Sequence, residues 1–303
     1  MAEHTRVDEF LTSLIAICKP LDSFEMPLLD AHGATLSQDV FAGERLVMKA
    51  GSRIRSTQIG LAASIGLDHL PTRPHPRVVV MSAGPDLVEP GKTLKDDEEF
   101  ETNSWMLTTA VREVGAVAYR VHSIPDDEAQ LQNLIEDQLV RADLIIISGE
   151  RHDDSFDLIT RTISNMGEIT TVDMAIEMSG RHNFGLIGPD KTPIITLPGD
   201  PIAAYISFEL FVRPMIRTML GAATIHRPSV KAKLEKAIES SEGMRSYIRA
   251  TLSEDGKSVT PLTHQEEIST LSDASAFIAV GEKDVSLKAG DEVTVVILER
   301  RYI

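Results

Sequence analysis

The chain has 303 residues, 42% of them hydrophobic, and carries 46 acidic side chains against 30 Lys and Arg, a formal net charge of -16. That length supports two or three self-sufficient domains, and so much negative charge disfavours a broad nucleic-acid or anionic-membrane surface. The single cysteine, Cys18, excludes an intrachain disulfide and, on a predicted helix, reads as a packing residue.

No apolar run reaches the roughly 18 residues of a membrane span. The opening MAEHTRVDEF lacks the basic-then-apolar order of a secretion signal. The nine histidines never stand at metal-ligand spacing with one another or with Cys18. The expectation is a cytoplasmic protein with no direct membrane insertion, no nucleic-acid partner and no structural zinc.

In chain order, Thr5 with Asp8 ahead of Val7, Phe10, Leu11, Leu14 and Ile15 predicts a capping box opening an amphipathic helix that Pro20 limits. A short helix over 57–65 follows, with Ser56 as N-cap and Gly66 as its left-handed stop. PTRPHP, Pro71 to Pro76, is a stiff linker that neither helix nor central strand should absorb.

Beyond it, strands over 77–82, 116–122, 143–148 and 193–198 alternate with helices over 103–114, 126–140 and about 156–166. This is the rhythm of a buried parallel sheet. A long helix over 202–220 closes that domain. After Gly221 the pattern is of alternating strands, with a hairpin at Glu254, Asp255 and Gly256 and a last strand DEVTVVILE. The implied domains are 1–72, 73–221 and 222–303.

In such a sheet, ligands sit beyond the carboxyl ends of the strands, where loops and helix N-termini present amides to anions. Four segments occupy those places: SAGPDL, ETNSWML, SGERHDDSFD and LPGDP. Together they predict a phosphate- or pterin-type site.

These segments, with GATLSQDV and LVMKAGSRIRSTQIGLAASIG, resemble the MoeA and gephyrin E-domain family over nearly the whole chain. The most specific matches are LPGDPIAAYISFELFVRP, beside the family's LPGNP-type turn and helix, and NSWML. The resemblance implies an α/β fold with a central three-layer, MogA-like parallel-sheet domain, a small N-terminal helical module and a C-terminal β-barrel-like domain. It implies molybdopterin contacts from Ser82 and Gly84, from Asn103, from Ser148 and Gly149, and from Pro198, Gly199 and Asp200. In the family's enzymes, Mg²⁺-dependent insertion of molybdate into adenylated molybdopterin completes the cofactor; Asp157 and Asp86 would be the catalytic acids, Asp157 the metal ligand.

The sequence departs from that pattern at several places. The domain the family normally inserts is missing between Ala42 and Gly43. SGGVSVGxxD becomes SGERHDDSFD, with Glu150 and Asp154 replacing glycine-type positions. KPGKPxxFG becomes EMSGRHNFG, with Glu177 and Gly180 at the two cation places and Arg181 only a neighbour. STGDEL becomes SAGPDL, with Pro85 removing an amide donor, and QGSG becomes QEEI at Gln265 to Ile268. The pocket is thus expected to have turned acidic.

Alternative readings of single residues stay open. His152, Asp153, Asp154 and Asp157 are either a Mg²⁺ set or an acid-rich helix start. Asn103 and Ser104 are either ligand contacts or caps. KDDEEFE (Lys95 to Glu101) reads as a solvated loop, and Trp105 and Met106 as core.

Two functions follow from the resemblance. The first is a homodimeric, gephyrin-like scaffold with little catalysis and no cofactor. It would capture peptides from a cytoskeletal protein, such as a tubulin-like division protein, or from a membrane receptor that recruits it to the membrane. The groove would use Asp8 and Leu11 with Phe277 and Val280, although Leu11 and Phe277 serve equally as core. The second is a molybdopterin molybdenumtransferase using Mg²⁺.

Overall fold

The computed structural model describes residues 4–84, 86–96, 98–121, 127–149, 153–177 and 179–298, with Asp153 and Asp154 described by backbone alone. Helix α1 (Val7–Ile17) is not opened by the expected capping box, since Arg6 is its N-cap and no side chain caps it. Thr5 instead forms a parallel bridge to Met174, with its N–H on Asp173 O at 2.7 Å. The helix buries Val7, Phe10 and Leu14 in the core of the central domain, so it packs there and not with the N-terminal module to which the sequence assigned it.

That module contains β1 (Phe24–Pro27), β2 (Thr35–Leu36), β3 (Val40–Ala42), β4 (Arg45–Met48), α2 (Ser56–Ser64) and β5 (His69–Arg73) around a small core including Leu36, Ile54 and Leu70. Strands β3 and β4 form a hairpin turning through Gly43, φ +60°, and Glu44, at the place where the inserted domain was expected to be missing. Its cross-strand pair Phe41 and Leu46 is exposed. Arg55, not Ser56, is the N-cap of α2, and Gly66 has the left-handed backbone predicted for it.

Pro71 lies inside β5, the middle strand of the order β1-β5-β2, against expectation. Proline removes a donor but not an acceptor, and the Pro71 carbonyl accepts from Ser37 N–H at 2.9 Å.

The central domain comprises β6 (Arg77–Ser82), β7 (Leu87–Val88), β8 (Glu99–Phe100), α3 (Asn103–Val114), β9 (Val117–Val121), α4 (Glu128–Leu139), β10 (Leu144–Ser148), α5 (Asp153–Met166), β11 (Gly167–Asp173), β12 (Arg181–Ile187), β13 (Thr192–Leu197), α6 (Pro201–Ser207), a π turn (Phe208–Val212) and α7 (Arg213–Met219). Its six-stranded sheet has the order β11-β12-β13-β10-β6-β9. The last four run parallel, as read from their β-branched runs, whereas β11 and β12 are antiparallel additions the sequence reading left unassigned.

Leu144 to Ile147 are fully buried, their side chains divided between the two cores that flank the sheet. Each such side chain contributes roughly 1.5–3 kcal/mol. Cys18 is buried with them, which pushes its thiol up to about 12 and leaves it unreactive.

The C-terminal domain contains β14 (Ser229–Leu234), β15 (Ile238–Glu239), β16 (Ser246–Leu252), β17 (Ser258–Pro261), α8 (Ser269–Asp273), β18 (Ala276–Val280), β19 (Ser286–Leu287) and β20 (Glu292–Ile297). Strands β14-β17-β16-β18-β20 close into a barrel, with the predicted hairpin turn at Gly256. Among the described residues no helix is long and apolar enough to cross a membrane.

Candidate functional site

Strands β6, β10 and β13 end level with one another, Ser82 opposite Ser148 and Ser148 opposite Leu197. The ladder runs one residue past the ends: Ala83 N–H donates to Ser148 O and Gly149 N–H to Leu197 O, both at 2.9 Å. These two amides are therefore spent on holding the loops together and not offered to an anion.

The loops are joined by Asn103, the first residue of α3. Its Nδ2 donates to Ser148 Oγ at 2.8 Å and to Gly199 O at 2.7 Å, while Ser148 Oγ donates to Pro198 O at 3.1 Å. Asn103 Oδ1 is buried and has no hydrogen-bond partner among the described residues. In the LPGDP turn, Asp200 caps α6 through the Ile202 and Ala203 N–H groups at 3.0 and 2.9 Å, and Pro201 takes the first helical turn.

Neither Asn103 nor Ser104 is the cap of α3. Glu101, only 5% exposed, accepts from Ser104 N–H at 2.7 Å and from Ser104 Oγ at 2.5 Å. Arg120 pairs with Glu101 and Glu89 and stacks on Trp105, 4.2 Å from the ring centroid. The acidic stretch expected to be wholly solvated is thus partly structural, with Glu99 and Phe100 forming β8 beside β7. Trp105 is 49% exposed and not the core residue the sequence suggested.

The two proposed catalytic acids are not shown as a pair. Asp86 is exposed, and its carbonyl accepts from Glu99 N–H at 3.0 Å. Asp157, largely exposed, faces the Arg181 guanidinium at 3.9 Å, itself lying over the Phe156 ring at 4.4 Å. A guanidinium neighbour opposes a cation site, so the Mg²⁺ role for Asp157 is not supported by its surroundings. Among the described residues the one grouping of three possible metal ligands, His264, Glu266 and Glu267, is exposed on a barrel loop. Pro85, Glu150, His152 and the side chains of Asp153 and Asp154 lie outside the described residues.

A cleft of about 430 Å³ is lined mostly by the barrel, with Lys236, Tyr247, Arg249 and Gln265, and closed by Glu177 and by Ile206 of α6. Arg249, 3% exposed, donates from Nε to Thr270 Oγ1 at 3.2 Å, but its Nη2 has no partner among the described residues. Burial lowers its guanidinium from the usual value, against the pull of Asp200 and Glu266. Gln265 braces this strand by exchanging hydrogen bonds with the Arg249 backbone at 3.1 and 2.9 Å. Sequence reading missed Arg249; its one local signal is a guanidinium within the otherwise apolar run Tyr247–Ala250.

Glu177, expected to repel an anion from a lysine position, is committed elsewhere. Its carboxylate accepts from Ser241 Oγ at 2.9 Å and Ser246 Oγ at 2.5 Å, and its N–H donates to Arg245 O at 3.0 Å. Arg249 and Lys236 line the same cleft, so it carries cations as well as this acid.

The predicted peptide groove is not formed as described. Phe277 is fully buried edge-to-face with Tyr205, Val280 is 1% exposed, and Leu11 packs on the central core. Asp8 makes a two-bond pair with Arg245 at 3.0 Å each, which holds its carboxyl below the usual carboxylate range. The alternation of β18 cannot tell a core-facing Phe from a groove-facing one, and here the core took it.

Residues 80–218 match the family model described as a probable molybdopterin binding domain, and residues 231–298 match the MoeA C-terminal region, domain IV. The chain is 30% identical to molybdopterin molybdenumtransferase 1 of Mycobacterium tuberculosis over 277 residues, 88% of this chain and 65% of that protein. It is 32% identical to molybdopterin molybdenumtransferase 2 of the same organism over 274 residues, 87% and 66% of the two chains. The chain therefore spans about two thirds of the length of these relatives. A molybdopterin biosynthesis moeA protein from Pyrococcus horikosii shares the fold at a TM-score of 0.85 and 19% identity, covering 98% of this chain and 100% of that one.

Proposed function

The chain belongs to the MoeA family, and we propose that it acts in molybdenum cofactor biosynthesis by binding molybdopterin between the strand-end loops and the barrel, as a molybdenumtransferase. The observation that carries this reading is the pair of unpartnered buried polar atoms near the Pro198–Asp200 turn, Arg249 Nη2 and Asn103 Oδ1. A buried guanidinium nitrogen without an acceptor costs free energy that an anionic oxygen returns. Arg249 supplies the cation for a phosphate or molybdate oxygen, and Asn103 Oδ1 accepts from an N–H such as those of a pterin ring. Burial strengthens both interactions by lowering the local dielectric.

Among the described residues no group of three metal ligands converges at the strand-end loops, and no step is derived through Mg²⁺. The scaffold reading has less to stand on, since Phe277 and Val280 are core and Asp8 is engaged by Arg245. A homodimer remains part of the proposal on the family resemblance, measurable by light scattering.

The test is equilibrium binding of molybdopterin, with molybdate-dependent AMP release from the adenylated form as the activity readout. Arg249→Gln is expected to weaken binding by about tenfold or more, the loss of one charge-assisted hydrogen bond. Affinity and turnover equal to those of the native chain would overturn the assignment.

A further inference from the structure

Away from the strand-end cleft, we propose a second oxyanion site, formed by Arg53, Arg73 and Arg217 where the N-terminal module meets the chain leaving α7. It does not depend on the molybdopterin reading. Ala223 N–H donates to Gly51 O at 3.1 Å, which lays the segment carrying Arg53 against the residues that follow α7. Arg217, in the last turn of α7, donates from Nε to Thr224 O at 3.0 Å. Arg73, at the end of β5, donates to Leu21 O and crosses Gly221 so closely that a Cβ there would lie 2.5 Å from Arg73 Nε. Arg73 and Arg217 thus meet residues 221–224 directly, and Arg53 comes near enough for Arg217 to feel its charge.

None of the three has a carboxylate partner among the described residues. Glu209 is shared by Arg213 and Arg227, and Asp39 is occupied by Ala50 N–H at 2.7 Å. Burial and the neighbouring Arg213 and Arg53 all lower the Arg217 guanidinium, as expected for a cation among cations. The carboxyl end of a helix offsets about half a unit of positive charge, which accounts for one arginine and not three.

In a chain with a net charge of -16, carboxylates are abundant, yet none among the described residues forms an ion pair with these three arginines. The arrangement suits a small tetrahedral anion, whose several oxygens can each take a forked guanidinium donor, better than one planar carboxylate. The ligand class is inorganic phosphate or a phosphate ester.

The experiment is calorimetric titration of the full chain with inorganic phosphate at low salt, repeated with AMP to separate free from esterified phosphate, and light scattering on the same samples. The native chain and the Arg249→Gln variant are both expected to bind phosphate. Arg53→Gln, at an exposed position, and Arg217→Gln are each expected to weaken it by about tenfold. The proposal is overturned if both arginine variants bind phosphate normally, or if Arg249→Gln alone abolishes all binding. It is also overturned if the arginine variants change only the association state, which would make the cluster a contact between copies.

Discussion

His182 is fully buried, with Nε2 3.2 Å from Ser207 Oγ, Nδ1 3.4 Å from Gly180 O, and its ring edge-on to Phe10 and Phe211 at 5.6 and 5.8 Å. Burial pulls its pKa from 6.5 to about 4. The unfolded chain therefore takes up this proton near pH 6.5, and the folded chain only near pH 4. Between those values the unfolded state holds more protons, so stability falls as pH falls across that window and is constant above it.

At about 1.4 kcal/mol per pH unit, the loss attributable to this residue is roughly 3 kcal/mol by pH 4 and about 1.4 kcal/mol at pH 5.5. Urea denaturation of the native chain and of His182→Gln, followed by circular dichroism at pH 7.5, 5.5 and 4, isolates that share. The Gln side chain stays neutral and can still reach Ser207. The difference between the two proteins should shrink by those amounts as the solution is acidified. A difference independent of pH would refute the assignment of a neutral, desolvated imidazole.

Two further outcomes follow from the junctions around the site. Glu209 is buried, which alone would raise its carboxyl, but Arg227 and Arg213, at 2.6 to 2.9 Å, hold it below the usual range; Glu209→Ala should cost about 3–5 kcal/mol because two guanidiniums lose their counter-charge, and a melting temperature unchanged within 2 °C or so would count against that pairing. Glu177→Ala should cost about 2 kcal/mol of stability through its two serine bonds, with Glu177→Gln retaining most of it. Glu177→Lys should lower molybdopterin affinity, whereas a gain would show that this position acts on the ligand by charge and not through the barrel.

The sheet was legible because its central strands are buried on both faces: the β-branched runs at Arg77–Ser82 and Leu144–Ser148 admit little else, and Asn103–Val114 ends on Gly115 with φ +104°. Strands β11 and β12 were not read, since Gly167–Asp173 is an edge strand of mostly exposed polar residues with no clean alternation. Asp200 was legible as a cap because capping is a local act. Arg249 was not, because its role arises only when β16 is laid beside a turn 49 residues earlier in the chain. Glu101 shows the same limit: nothing within KDDEEFE singles out the acid that meets Arg120.

The hairpin at Gly43 and Glu44 bears on how such a protein changes over evolutionary time. Its two strands are paired up to Ala42 and Arg45, so the ends of anything spliced into the turn would stand about 5.5 Å apart. A unit with entry and exit that close is a cassette: it can be acquired or shed while the register of β3 and β4 is kept, and it transmits little strain to the frame. The exposed Phe41 and Leu46 lie at the foot of that splice point, where an inserted unit would have its first opportunity to bury apolar surface.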